Sequence, residues 1–428
     1  MEFIEELEKR LIVAGHEFMS SYGELPQAES LSAMESAVRE MMGALGQAVL
    51  GEWLTGQDAK YPADSIECPC GGQAHYERRR EALSMTLQGR VRYRRAYYRC
   101  ACGQGSCPLD ERLGIEPGQM SEQLVKVAAR FGISEAYERS AEGLAVATGV
   151  ALSPNSVRRA CLEVGAQVVE TEMELLARSQ NLSEQLRQRR EGPRPQRLYA
   201  SIDGFYAPFE DGYHEVKMGA LWETTSDNHA TNIEYYLETR GLDAFTDLVW
   251  ARAFGRGADQ AEQLVFIADG AVWIWRIVAK FFPKAIQIVD WYHALSYLAK
   301  VAQAAFGEGT DQANAWLDQV RPALYDGRLA CVCLACRALT ALAPKAVADA
   351  RHYFAANRTR LRYGKFRAQG LQIGSGTMES GCKQLGLARL TIADARWSDP
   401  GAPLLGKTRA AFLSRQITLP SLGALHVA

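Results

Sequence analysis

Leu264-Val-Phe-Ile-Ala268-Asp269-Gly270-Ala271-Val272-Trp273-Ile274-Trp275 is the stretch around which the rest of the chain can be organised. A short apolar run ends on Asp-Gly, and a second apolar run at helical spacing continues to Phe282. The first run has the length of a buried strand and the second that of a helix. An aspartate closing a buried strand does little for stability, because strands disfavour Asp and a charge beside a sheet core is costly unless it is paired or binds a metal. Working outward, residues 285–289 read as the next strand. Residues 198–202, 215–222 and 232–239 read as three earlier strands, with Gly212 and Asp227-Asn228 in the turns, and residues 242–253 as the helix that follows them.

Three strands followed by helix, strand, helix, strand is the order of a ribonuclease-H-like mixed sheet, so the expected fold is multidomain α+β with a catalytic domain of that kind. Asp203, in Ser201-Ile-Asp-Gly-Phe205, is expected to terminate the first strand as Asp269 terminates the fourth. Glu379, in Gly374-Ser-Gly-Thr-Met-Glu379-Ser380, falls in the first turn of a later helix, and its glycine lead-in lets that helix begin near the two aspartates. Three carboxylates of this kind can hold two divalent ions for phosphodiester chemistry. Taken singly, an Asp-Gly is a turn and Glu379 a residue that complements a helix dipole.

Asp203-Gly204, the run 268–275, Asp290-Trp-Tyr-His293 and Gly374-Ser-Gly-Thr-Met-Glu379-Ser380 together resemble the DDE transposases of bacterial insertion sequences, specifically the ISKra group allied to Mutator-like transposases, over roughly residues 65–415. The resemblance implies that Asp203, Asp269 and Glu379 form the catalytic triad for Mg²⁺ or Mn²⁺. The implied chemistry is hydrolysis at a transposon 3′ end followed by strand transfer into target DNA. The separation of 110 positions from Asp269 to Glu379 fits the all-helical insertion of that family, here at about 294–370. Asp290 and His293 carry two readings: positioning of the scissile strand, or a helix cap with an ordinary hydrogen-bonded histidine. Lys383 and Arg389, beyond the glutamate, are candidates for phosphate contact.

Ten cysteines are clustered. Cys68-Pro-Cys70-Gly and Cys100-Ala-Cys102-Gly make two knuckles expected to form a Cys₄ zinc ribbon, with Cys107 or His75 as possible replacements and unligated thiols as the alternative. The hairpin between them, turning at Gly89, carries eight arginines against Glu77 and Glu81 within residues 76–99. Arg90, Arg92, Arg94 and Arg95, with interleaved tyrosines, suit contact with double-stranded DNA, though a solvated basic hairpin has the same composition. Residues 140–164 resemble a helix-turn-helix whose second helix starts at Ser153-Pro154 and presents Arg158 and Arg159 to DNA. Cys331, Cys333 and Cys336 read as core thiols, and residues 351–367 contain six basic side chains and no acid.

The formal net charge of −2 rules out a global positive field, so DNA binding must use local patches. No stretch reaches the ~20 apolar residues of a membrane span, and the acidic start differs from a secretory signal; a cytoplasmic, nucleoid-associated bacterial protein is expected, without membrane partners. The expected organisation is an N-terminal helical region (1–60), the zinc ribbon (61–115), the helix-turn-helix (116–166), a helix and a Pro-rich linker (167–197), and the catalytic domain (198–428). Because transposition joins two ends, a homodimer or higher oligomer is expected. A structure-specific nuclease and an inactive, DNA-binding derivative of a transposase are the competing functions.

Overall fold

The computed structural model describes residues 30–58, 63–180, 194–392 and 395–419, with residues 9, 12, 13, 16 and 20. Most of residues 1–29 of the expected N-terminal helical region and residues 181–193 of the expected helix and linker lie outside the described residues. The chain is mixed α+β and divides into two compact units, a first through Val164 and a second over Gly165–Ile417.

The first unit opens with α1 (Leu31–Asp58), followed by β1 (Ser65–Glu67), β2 (Gln73–Thr86), β3 (Gly89–Cys100) and β4 (Gly105–Ser106) in an antiparallel sheet of order β1-β2-β3-β4. Gly89, at φ +98°, opens β3 just beyond the turn, where a side chain would be strained. The long hairpin strands alternate as a half-buried sheet should: Val91 and Tyr93 are buried, while Arg90, Arg92 and Arg94 between them face solvent. Helix α1 covers part of β3. Thr55 Oγ1 accepts the Arg94 amide at 3.1 Å and Asp58 the Ala96 amide at 2.8 Å, so amides that would otherwise invite another strand are satisfied.

Helices α2 (Pro108–Leu113), α3 (Glu122–Gly132), α4 (Tyr137–Thr148) and α5 (Pro154–Ser179) follow. The Ser153 hydroxyl accepts the Ser156 amide at 3.1 Å, and Pro154 occupies the first helical position, the capping read from the sequence. A side chain at Gly132 would fall 2.4 Å from Cys161 Sγ and 2.8 Å from Val157, so glycine permits the close approach of α3 to α5. Contrary to the expected break near residue 166, α5 runs without interruption for 26 residues. No proline separates the two halves, the helix runs on through Gly165, and the division between the compact units falls inside it at that residue.

The second unit contains β5 (Arg197–Phe209), β6 (Gly212–Thr224), β7 (Ala230–Glu238), α6 (Leu242–Gly255), β8 (Gln263–Ala268), α7 (Val272–Phe281) and β9 (Ile286–Val289). The sheet has the order β7-β6-β5-β8-β9; β5, β6 and β7 are antiparallel neighbours, whereas β8 pairs in parallel with both β5 and β9. Its core includes Leu198, Tyr199, Trp222, Tyr236, Phe245, Phe266 and Ile288. Five helices come next: α8 (Trp291–Phe306), α9 (Asp311–Tyr325), α10 (Leu329–Ala338), α11 (Pro344–Ala356) and α12 (Tyr363–Ala368). Helix α13 (Gly376–Cys382) leads into a π-helical segment (Lys383–Leu390), and α14 (Gly401–Leu413) closes the unit. On α10, Cys336 is buried as expected of a core thiol, but Cys331 is exposed. Among the described residues no helix is long and apolar enough to cross a membrane.

Candidate functional site

Topology brings the two aspartates to one end of the mixed sheet. Asp203 lies inside β5, opposite Met218 of β6, and not at a strand end as expected. The reason is that β5 has two partners of different extent: it pairs with β8 only over residues 197–200, then continues on β6 alone. On the parallel side Asp203 therefore emerges where the sheet has stopped, beside Asp269, which follows the last residue of β8. Asp203 accepts the Gly204 amide at 2.8 Å and lies 3.8 Å from Cys382 Sγ. Burial pushes its carboxyl up; the Gly204 amide opposes this, the charge of Asp269 pushes it further up, and His293 and Cys382 pull it down. Asp269 accepts the Ala271 amide at 2.8 Å, and its carbonyl accepts Trp275 Nε1 at 2.9 Å, which fixes the turn into α7. Among the described residues neither aspartate has an ion-pair partner.

Asp290, directly after β9, is a cap and a latch. One carboxylate oxygen accepts the His293 amide at 2.7 Å, capping α8; the other accepts the Ser375 amide at 2.6 Å and the Ser375 hydroxyl at 2.8 Å. It is only 6% exposed, and both oxygens are engaged by the chain itself. Its geometry is that of the capping alternative, with an addition the sequence did not reveal: it holds the lead-in of the helix that carries Glu379. The His293 ring lies 5.9 Å from the ring of Tyr297 and 6.0 Å from that of Tyr353.

Glu379 stands in the first turn of α13, where its carboxylate pairs with Lys383 Nζ at 2.7 Å and remains 58% exposed. The three acids are not drawn into one tight cluster; among the described residues the only group of three or more acidic, histidine or cysteine ligands so gathered is made of cysteines. Lys383 is engaged by Glu379, and Arg389 is buried with its guanidinium 5.0 Å from the centre of the Trp397 ring, which removes Arg389 from phosphate contact. The site residue missed in the sequence is Cys382. Its position one turn beyond Glu379 was the available signal, and its thiol is pushed up to about 12 by burial first and then by the charge of Asp203.

In the first unit, the ligand atoms of Cys68, Cys70, Cys100 and Cys102 all lie within 4.8 Å of one another, a group that can bind a metal such as zinc. Neither His75 nor Cys107 belongs to it. The two knuckles repeat one backbone pattern. Cys68 N donates to Gly72 O and Cys100 N to Gln104 O, both at 2.9 Å, while Gly71 N and Gly103 N return to the first cysteine carbonyls at 2.8 and 2.9 Å. Gly71 and Gly103 both have positive φ, 83° and 92°, so a glycine after each second cysteine is what closes these short turns. The Gly72 amide and then the neighbouring thiols bring Cys70 down to about 7, while Cys68 and Cys102 of the same group are shifted up.

The basic candidates divide by exposure. Arg90, Arg92 and Arg94 project from one face of β3, and Arg158 and Arg159 are exposed near the start of α5. Arg95 departs from the expectation: it is only partly exposed and held in a salt bridge to Asp110, which also accepts the Tyr93 hydroxyl at 2.8 Å, so it braces the hairpin.

A comparison with curated proteins finds no match. The sequence profile of an uncharacterised protein family, UPF0236, matches residues 31–326, which include the cysteine group, Asp203, Asp269 and Asp290. That match covers most of the chain, and the protein belongs to the uncharacterised protein family UPF0236.

Proposed function

We propose that this protein is the DNA transposase of an insertion sequence, with a ribonuclease-H-like catalytic domain that cuts phosphodiesters at transposon ends and joins the freed 3′-hydroxyl to target DNA. The observation that carries this reading is the pair Asp203 and Asp269. They stand at the ends of pairing between adjacent parallel strands, close enough for the charge of one to raise the carboxyl of the other, and among the described residues neither is held in a salt bridge. The sheet order, the helical stretch before Glu379 and the motif resemblance support it further.

The donor set fits a hard divalent cation at the two aspartates, since both offer carboxylate oxygen and their mutual repulsion is relieved by positive charge. Glu379, paired with Lys383 in this structure, would add a third carboxylate only on leaving that lysine. Bound there, Mg²⁺ or Mn²⁺ supplies activation of the attacking oxygen and stabilisation of the leaving one. The chain's own contribution is placement: the rigid strands set the two aspartates, Asp290 ties down the backbone before α13, and Lys383, freed from Glu379, is available to a phosphate. Arg90, Arg92, Arg94, Arg158 and Arg159 would hold the duplex through its backbone. Capture of two ends calls for at least two copies of the chain. Zinc in the cysteine group would be structural.

The test is incubation of the purified protein with linear DNA carrying the terminal repeats that flank its gene, in Mg²⁺ or Mn²⁺. Cleaved ends and joined products are expected, and Asp203→Asn or Asp269→Asn should lower both by at least roughly 100-fold while leaving DNA binding intact. Cleavage without joining would reassign the protein as a nuclease. The Glu379–Lys383 pair favours one other reading, a DNA-binding derivative without turnover, for which Asp203→Asn would behave as the wild type.

A further inference from the structure

Behind the turn that carries Asp269, helices α8 and α11 part to leave a cleft of about 660 Å³ lined by Gly270, Tyr297, Lys300, Lys345, His352 and Tyr353. Its volume suits a small organic ligand or a single nucleotide. The wall is aromatic: the rings of Tyr297 and Tyr353 stack at 3.9 Å and 15°. Tyr353 is 6% exposed, and its hydroxyl is buried with no hydrogen-bond partner. A buried donor of this kind is costly to leave unmade. Lys300 and Lys345 are exposed, and among the described residues neither ammonium has an ion-pair partner; Lys300 Nζ lies 5.0 Å from the centre of the Tyr297 ring. Asp349 is the one acidic side chain in the lining, which it shares with two lysines and His352.

We infer that this cleft is a subsite for one unpaired nucleotide of a DNA strand, its base against the tyrosines and its phosphate between Lys300 and Lys345. The inference rests on the proposed function, which brings a DNA strand to Asp269. Stacking on aromatic rings beside a cationic rim is how unpaired bases are held without dependence on sequence. A duplex cannot enter, because only a base swung out of its stack fits between two helices. The glycine after Asp269 ties this cleft to the candidate site. A Cβ at Gly270 would fall 2.2 Å from the Tyr353 ring, so the turn holding the aspartate and the wall of the cleft are in direct contact.

The experiment uses the full chain and a 2-aminopurine reporter placed in an unpaired overhang of a short duplex, with the same duplex blunt-ended and free dAMP as comparisons. The overhang should bind roughly tenfold more tightly than the blunt duplex, and its fluorescence should be quenched on binding. Lys300→Ala with Lys345→Ala should abolish that preference while leaving blunt-duplex affinity unchanged. Tyr297→Leu, at a partly exposed position, should remove the quenching. Equal affinity for overhang and blunt duplex would overturn the subsite and leave the DNA-processing reading standing. Failure to bind either DNA would overturn both. Binding of free dAMP as tightly as the overhang would overturn the assignment to a strand and give the cleft to free nucleotides.

Discussion

At the scale of single residues, the two best-placed levers lie beside the three candidate metal ligands, at Gly270 and Asp290. Gly270 has no room for a methyl group, because the ring of Tyr353 occupies the space a Cβ would need. Gly270→Ala should therefore push α11 away from the Asp269 turn and destabilise the second unit by about 1–3 kcal/mol, read as a lower denaturant midpoint at unchanged slope. Asp290 acts at a distance. Its carboxylate receives one amide from α8 and an amide and a hydroxyl from Ser375, and so fixes where α13 begins. Asp290→Asn keeps the shape but turns one acceptor into a donor facing a backbone amide. If the proposed function holds, cleavage should fall about 10–100-fold, the size expected when a residue that positions a metal ligand is lost, with DNA affinity retained. Rescue by Asp290→Glu is not expected, since the longer side chain would displace both amide contacts.

At the scale of elements, what the sequence disclosed and what it concealed follow from how far apart the partners lie. The strands flanking Asp269 and the helix after it were legible because periodicity and the Asp-Gly breaks are local. The cysteine group was legible for the same reason, each knuckle being closed by a glycine three residues after its first cysteine. The end of β5 was not, because the apolar pattern cannot tell that β8 stops pairing while β6 goes on. Arg95 looked like its neighbours until Asp110, 15 residues later, took it into a salt bridge. The role of Asp290 was half legible: the cap is local, whereas Ser375 is 85 residues away. The four cysteines also give the prediction that belongs at this scale. The knuckles join the ends of β2 and β3 around a small cluster of Ala74, Ala96 and Tyr98, too little apolar surface to hold those ends alone. The protein should carry one zinc per chain by elemental analysis, and strong chelators or Cys70→Ser should remove it and loosen this end of the sheet, seen as faster amide exchange there.

At the scale of the whole molecule, a net charge of −2 conceals a strongly uneven distribution. Basic side chains stand exposed on β3 and at the start of α5, while the interior of the second unit contains paired charges. There Glu238 is 1% exposed and meets Arg240 at 2.6 Å and Lys407 at 3.4 Å; Lys407 also bonds Glu172, and Arg252 bridges Glu172 at 3.2 Å and Glu234 at 3.0 Å. These pairs link α5, β7, α6 and α14 within one unit. Burial alone would raise the Glu238 carboxyl, but hydrogen bonds from Arg240 and the charge of Lys407 outweigh it and hold the group at about 2, against an ordinary 4.5. A carboxyl held lower in the folded than in the unfolded chain stabilises the fold above the unfolded value and loses that contribution as pH falls through the folded one. The window is therefore pH 4.5 down to about 2. Because Arg240 is 59% exposed and screened by solvent, the contribution is on the order of 2 kcal/mol and smaller than the full shift implies. Glu238→Gln should lower stability by about that amount at pH 7 and flatten the acid limb of the stability profile between pH 4.5 and 2, measured by urea unfolding at a series of pH values. An acid limb as steep in the variant as in the wild type would assign the acid sensitivity of the second unit to carboxylates outside this network.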